Sequence, residues 1–243
     1  MPGSYGEGDE IDLPDDEARH LSRVLRLEAG AVVRVFDGHG REFTAVVTRT
    51  TKTLASVRIA AAQAPVIEPR VAITLAHAVL KGDKMDDVIR DAVMIGAAAV
   101  QPIVSTRTEV TLGMLERTRR GERWSRVAVS SAKQCGRAVV PPILTPVTFD
   151  SLLATLEIPT PAHPPLMLVE PSADYRVLSL AELDAVPPPS AMLVIGPEGG
   201  WTPDEVERAA PVCRLVRLGG RTVRADAMAT VAIAALFAKW GEY

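Results

Sequence analysis

Cysteine and histidine are scarce in this chain, and each scarcity narrows what it can do. Two cysteines, Cys135 and Cys213, stand far apart and fit no zinc spacing, so the chain reads as a reduced, cytosolic protein. Four scattered histidines argue against a metal site. No apolar run reaches the ~18 residues that a membrane span needs. The first residues are acidic and Gly-rich, unlike a secretory signal or a transit peptide. Net charge is −3, so no overall polycation draws the chain to nucleic acid. The phosphate fingerprints G-x-x-x-x-G-K-[ST] and G-x-G-x-x-G are both missing.

The 243 residues, 47% of them hydrophobic, are enough for one large domain or for a small one and a medium one. Charge is unevenly placed. Acids crowd Glu7 to Glu17, while bases recur at Arg19-His20, Arg23, Arg26, Arg117 to Arg126, Lys133, Arg137 and Arg214 to Arg224. A chain of this net charge can still carry a basic face that neutralises phosphates, the alternative being solvated surface arginines.

The first part reads as β-rich. A short helix is expected within Asp15 to Leu27. Val32 to Phe36 alternates, Asp37-Gly38-His39-Gly40 turns, Glu42 to Val47 returns, and Leu54 to Ile59 adds a strand, a pattern that suggests a small barrel. Two prolines, Pro65 and Pro69, mark a linker. Beyond it strands and helices alternate: strand Val71 to Ala76, helix Asp83 to Gly96, strand Ala99 to Val104, helix Leu115 to Lys133. Strands at Leu166 to Glu170, Met192 to Ile195 and Leu215 to Leu218 follow, and helix Ala225 to Trp240 closes the chain. Pro159 to Pro165 and Pro187 to Pro189 read as loops. Apolar strands alternating with helices indicate a buried parallel sheet in an α/β domain.

Two loops stand out. The run Leu193-Val194-Ile195 stops in Gly196-Pro197-Glu198-Gly199-Gly200-Trp201. Thr202 then N-caps a helix, with Pro203 at its first position and Glu205 completing a capping box. The second loop, Leu218-Gly219-Gly220-Arg221-Thr222-Val223-Arg224, also follows an apolar run and precedes a helix. Glycine lets backbone approach a ligand closely. No lysine follows the glycines, and Glu198 would repel phosphate. A ligand neutral or cationic near the loop fits better, and S-adenosylmethionine has an adenosine, a sulfonium and no phosphate. Leu218, Val223, Ala225 and Ala227 offer an apolar wall for the adenine. The plainer alternative is that Gly196 to Gly200 is only a tight turn.

These loops together resemble the SPOUT methyltransferases, and most closely the family of ribosomal RNA small-subunit methyltransferase E. Other segments agree in order: His20-Leu21-x-x-Val24-Leu25-Arg26, Val35-Phe36-Asp37-Gly38, Lys81-Gly82-Asp83-Lys84-Met85, then Gly96, Pro102 and Arg107. Trp124, Gln134-Cys135-Gly136-Arg137 and Val140-Pro141 complete the set. Each motif is weak alone, and their ordered set is specific. The resemblance implies a PUA-like, RNA-binding β-barrel over residues 1–66. It implies a SPOUT-type α/β domain over 67–243 with a C-terminal trefoil knot, a feature no periodicity could reveal. It implies a homodimer that uses S-adenosylmethionine, with no metal and no membrane, to methylate N3 of one uridine in 16S rRNA, within the small ribosomal subunit.

The resemblance places the cofactor on Val169, Glu170, Ile195, Gly196, Pro197, Glu198, Gly199 and Gly200, and on Leu218, Gly219, Val223, Arg224 and Ala225. Arg224 becomes the candidate to hold the developing anion or a phosphate. Asp226 becomes the candidate base or orienter, or simply a carboxylate favoured at a helix N-terminus. Glu198 has a cofactor or loop-bracing role. Arg23, Arg26, Lys81, Lys84, Arg107, Gln134, Arg137 and Arg221 are the expected RNA contacts, with solvated side chains as the alternative. The chain departs from the family pattern at Ala225-Asp226-Ala227, where Thr-Glu-Thr is usual. It also departs at Met94, Thr106 and Lys133, where acids are common, and it shows no Arg/Phe-rich first strand. A methyltransferase for another base or a ribose 2′-hydroxyl, and an inactive RNA-binding homologue, are the alternative functions.

Overall fold

The computed structural model describes residues 5–156, 163–170 and 176–242. Part of the expected Pro159 to Pro165 loop lies outside these residues. The chain divides into two compact units, one of residues 1–67 with 136–140, the other of 68–135 with 141–243.

In the first unit β1 (Glu10–Asp12), β2 (Val32–Phe36), β3 (Glu42–Thr50) and β4 (Ala55–Gln63) form an antiparallel sheet in the order β1-β4-β3-β2. Alternation explains the pleat: Ala45 and Val47 on β3 and Ala55 and Val57 on β4 are buried together. Helix α1 (Asp15–Arg19) covers this core with Ala18. The chain then widens over His20–Val24 and contributes Leu21. The Leu25 amide bonds the His20 carbonyl, five residues back. The expected turn at Asp37 is closed by its carboxylate, which accepts from the His39 and Arg41 amides and the Arg41 Nε. The turn also pairs with the later segment. Gly40 N–H donates to the Ala138 carbonyl, and Val140 N–H to that of Gly38. Strand β1 was not foreseen, because Glu10-Ile11-Asp12 is too short and acidic to show a pattern.

The second unit is built on an all-parallel sheet of seven strands. They are β5 (Ala72–Ala78), β6 (Ala99–Val104), β7 (Val147–Thr148), β8 (Leu166–Leu168), β9 (Leu178–Ser179), β10 (Ser190–Ile195) and β11 (Arg214–Arg217). Their order is β7-β6-β5-β10-β8-β11-β9. Helix α2 (Lys84–Ile95) buries Met85, Val88, Ile89, Ala92 and Val93, the face its spacing predicted, and ends at Gly96 with φ of 110°. A Cβ at Gly96 would stand 2.7 Å from Pro69 Cγ, so both conformation and packing demand glycine.

The expected helix from Leu115 to Lys133 is two helices, α3 (Leu112–Arg117) and α4 (Arg120–Cys135). The break falls at Thr118, where α3 is capped, and at Arg119, whose φ of 49° is left-handed. Helix α5 (Phe149–Leu156), not foreseen, buries Phe149, Leu152 and Leu153 in one core with α6 (Pro203–Ala209). Helix α7 (Ala225–Trp240) packs on α2, β5 and β10. It buries Ile233, Leu236 and Phe237, each worth about 1.5–3 kcal/mol of transfer free energy. Among the described residues no helix is long and apolar enough to cross a membrane.

Candidate functional site

Strands β10, β8 and β11 are neighbours, so the loops leaving their C-terminal ends meet at one place. Ligands of open parallel sheets bind at such a crevice. A cavity of about 440 Å³ lies there. Leu168, Val169 and Glu170 reach it from β8, and Ile195, Gly196, Pro197, Glu198 and Gly200 from β10. Leu218, Val223, Arg224 and Ala225 reach it from β11 and the start of α7. The two glycine loops therefore form one pocket. Gly199 and Gly219, expected in the cofactor set, are not among its lining residues.

Local chemistry fixes the first loop. Thr202 accepts from the Glu205 amide at 3.2 Å and Glu205 accepts from the Thr202 amide at 2.9 Å, so the capping box is reciprocal, with Pro203 at N1. Trp201 Nε1–H donates to the Leu168 carbonyl at 2.9 Å, and its ring meets Phe149 at 4.7 Å between centroids. A Cβ at Gly196 would lie 2.9 Å from the Trp201 indole. The indole therefore requires that glycine. Gly200 has φ of 67°, and a Cβ there would stand 2.5 Å from Glu170 Oε1.

The pocket has two kinds of wall. Leu168, Val169, Leu218, Val223 and Met228 are apolar. Charges gather elsewhere on the lining: Glu170, Arg221 and two ion pairs. Lys84, first residue of α2, donates to Glu198 Oε1 at 3.0 Å. Arg224 donates from Nε and Nη2 to the two oxygens of Asp226 at 3.1 and 2.9 Å. Burial works against the Glu198 charge, but Lys84 and hydrogen bonds outweigh it and hold the carboxyl below the usual glutamate range. The Arg224 hydrogen bond likewise holds the Asp226 carboxyl below the usual aspartate range. Asp226 is therefore a carboxylate at neutral pH, a weak base while paired.

Beneath the pocket wall lies a residue the sequence reading passed over. His77, at 0% exposure, places Nδ1 2.7 Å from the Ala78 carbonyl and Nε2 3.1 Å from that of Ala225. Burial pushes its imidazole below the usual range, although both carbonyls favour the charged form. A histidine next to the end of a largely apolar strand was the available signal. Burial pushes the Cys213 thiol up to about 11, so it is no nucleophile.

Within the second unit the expected RNA contacts do not form one group. Lys84 and Arg221 line the cavity itself. Lys81 is paired with Glu109 at 3.0 Å. Arg107 Nη1 donates to the Gly199 and Trp201 carbonyls at 2.7 and 3.2 Å. The structure thus puts Lys84 and Arg107 on the glycine loop, because α2 and the loop after β6 both abut it. In the other unit, Arg23 and Arg26 line a shallow cleft with Ser22 and Lys52. Gln134 is exposed at the end of α4, whereas Arg137 is enclosed at 5% exposure.

A description of the RNA methyltransferase domain matches residues 67–237, and one of the RNA methyltransferase PUA domain matches 13–60. Ribosomal RNA small subunit methyltransferase E of Synechocystis is 30% identical over 92% of this chain and 71% of its own length. This chain belongs to the ribosomal RNA small subunit methyltransferase E family. The Bacillus subtilis member is 25% identical over 95% of this chain and 90% of its own. The crystal structure of the Neisseria gonorrhoeae member, bound to S-adenosyl methionine, superposes with a TM-score of 0.87. It is 30% identical and covers 99% of this chain and 96% of its own. A Legionella pneumophila structure described as a methyltransferase with bound SAM also gives 0.87, at 28% identity over 98% of this chain and 95% of its own. In this chain an N-terminal PUA domain precedes an α/β domain with a parallel sheet.

Proposed function

We propose that this protein is an S-adenosylmethionine-dependent methyltransferase that places a methyl on N3 of one uridine in 16S rRNA. The observation that carries the reading is the cavity at the ends of β8, β10 and β11. It offers apolar side chains and glycine backbone for an adenosine, and three carboxylates, Glu170, Glu198 and Asp226, on the lining for a cation. Its lining suits S-adenosylmethionine better than a nucleotide, since the glycine loop carries the Glu198 carboxylate and Glu170 stands against Gly200, where a phosphate would be repelled. The cofactor bound in the Neisseria relative supports the same assignment.

Bound there, S-adenosylmethionine supplies an electrophilic methyl group. The chain's own residues do the rest. Backbone of Ile195 to Glu198 with Gly200, and of Leu218 with Arg221 to Ala225, would hold the adenosine against Leu168, Val169 and Met228. The carboxylate of Glu198, kept ionised by Lys84, complements positive charge. Uracil N3 is a weakly acidic imide, not nucleophilic until its proton leaves. Arg224 at the cavity rim meets the charge that develops on O2 and O4. As its guanidinium turns to that charge, Asp226 loses its partner, gains proton affinity and accepts or orients the N3 proton.

Residues 1–66 form the RNA-binding domain, a PUA-like barrel, and 67–243 the methyltransferase domain. Arg23 and Arg26 grip phosphate, with Lys81, Gln134 and Arg221 on the second domain. The same reading gives the C-terminal part of the second domain a trefoil knot around the cavity. A homodimer in the cytoplasm completes the reading. Helix α7 supports it: apolar nearly all round, it leaves Val231 at 44% exposure beside Ala227, Ala234 and Ala238. Calorimetric titration with S-adenosylmethionine tests the site. Saturable one-to-one binding is expected, and no binding would favour an RNA-binding homologue without catalysis.

A further inference from the structure

Arg107 sits in the loop leaving β6, one strand away from β5 and on the far side of it from β10. Its exposure and charge suit an RNA contact. Its geometry does something else. Nη1 reaches two backbone carbonyls of the glycine loop, Gly199 at 2.7 Å and Trp201 at 3.2 Å. Its aliphatic stem lies on Gly199, where an added Cβ would meet Arg107 Cβ at 3.3 Å and Cδ at 3.4 Å. Neither Gly199 nor Arg107 lines the cavity. Gly199 is thus shaped by the arginine rather than by a ligand.

The platform under Arg107 is itself fixed. The Ser105 amide donates to Thr108 Oγ1 at 3.1 Å, and the Thr108 amide to the Ser105 carbonyl at 3.1 Å. The Thr106 amide donates to Glu205 Oε1 at 2.8 Å, while Glu205 Oε2 accepts from the Thr202 amide and hydroxyl. Glu205 is 1% exposed, so these bonds are shielded from water. The loop after β6 therefore holds the glycine loop at two points, Gly199 to Trp201 by Arg107 and the head of α6 by Thr106. A glycine-rich loop has much conformational freedom to lose on binding. Holding it beforehand lowers that cost.

We propose that Arg107 is a positioning residue that preorganises the glycine loop for the cofactor, and that RNA contact is not its role. This rests on the reading of the cavity as the S-adenosylmethionine site. Full-length wild type, Arg107→Ala and Arg107→Lys are compared in three measurements. They are S-adenosylmethionine affinity by calorimetry, affinity for a small-subunit rRNA fragment, and amide hydrogen exchange without ligand. Arg107→Ala is expected to bind S-adenosylmethionine about tenfold more weakly, the scale of a lost charge-assisted hydrogen bond. Arg107→Lys recovers part of that, since one ammonium can reach a carbonyl. RNA affinity stays within about twofold. Amides of Gly199 to Trp201 exchange faster in Arg107→Ala, with the rest of the protein unchanged. Lost RNA affinity with unaltered cofactor affinity and exchange would overturn the proposal. If wild type does not bind S-adenosylmethionine, the cofactor reading fails by itself, and exchange alone decides Arg107, with unchanged loop amides counting against it.

Discussion

Arg224 and Asp226 face each other across one residue at the head of α7, joined by two hydrogen bonds of 3.1 and 2.9 Å. The pair sits on the rim of the cavity with the arginine side chain 75% exposed and the aspartate 27%. An arginine so exposed can turn to an incoming group at small cost, and the aspartate is then released.

That relationship gives the first prediction. Arg224→Ala should lower the methyl-transfer rate about 10²–10³-fold, the usual loss for a donor aimed at developing charge. Thermal stability should stay within about 0.5 kcal/mol, since the site is at the surface. Asp226→Asn should lower the rate about 10²–10⁴-fold if the carboxylate takes the proton. Single-turnover rates beside melting curves check both.

The Trp201 indole fills the space a Cβ at Gly196 would need. Gly196→Val should therefore displace the indole, change its fluorescence and abolish cofactor binding together. Cofactor binding lost with an unmoved tryptophan would mean that a ligand, not Trp201, needs the glycine.

His77 titrates against the fold. Its buried imidazole has a lowered pKa, so below the ordinary value of 6.5 the unfolded chain binds the proton more readily than the folded one. The contribution is complete above 6.5 and is lost as pH falls from there towards the folded value. Denaturant midpoints should decline over that interval in wild type, and less in His77→Gln.

Thr202→Ala removes the N-cap of α6 and one partner of buried Glu205. A loss of about 0.5–2 kcal/mol is expected from chemical denaturation. On α7, Val231→Glu should shift sedimentation to the monomer, by placing a charge on the apolar face assigned to the dimer.

Legibility in the sequence followed the range of the forces involved. Helix α7 and strand β6 lie where the sequence pattern put them, because length and apolar content declare them. The Thr202 cap was legible because capping is local chemistry. The α3–α4 break was not: Arg119 carries no sign that it turns left-handed. The order of the sheet is a long-range choice, and with it went the parts played by Lys84, Arg107 and His77. Their residue types suggested RNA or nothing; only the neighbours brought by β5, β6 and β10 show what they hold.

The most direct test is mass mapping of methylated nucleotides. The purified protein is incubated with small ribosomal subunits from cells lacking this activity and with isotopically labelled S-adenosylmethionine, and the 16S rRNA is digested and sequenced by mass. The account predicts one labelled 3-methyluridine per subunit, formed about 10²–10³-fold more slowly with Arg224→Ala. A labelled methyl on another base or on a ribose 2′-hydroxyl, or none despite cofactor binding, would contradict it.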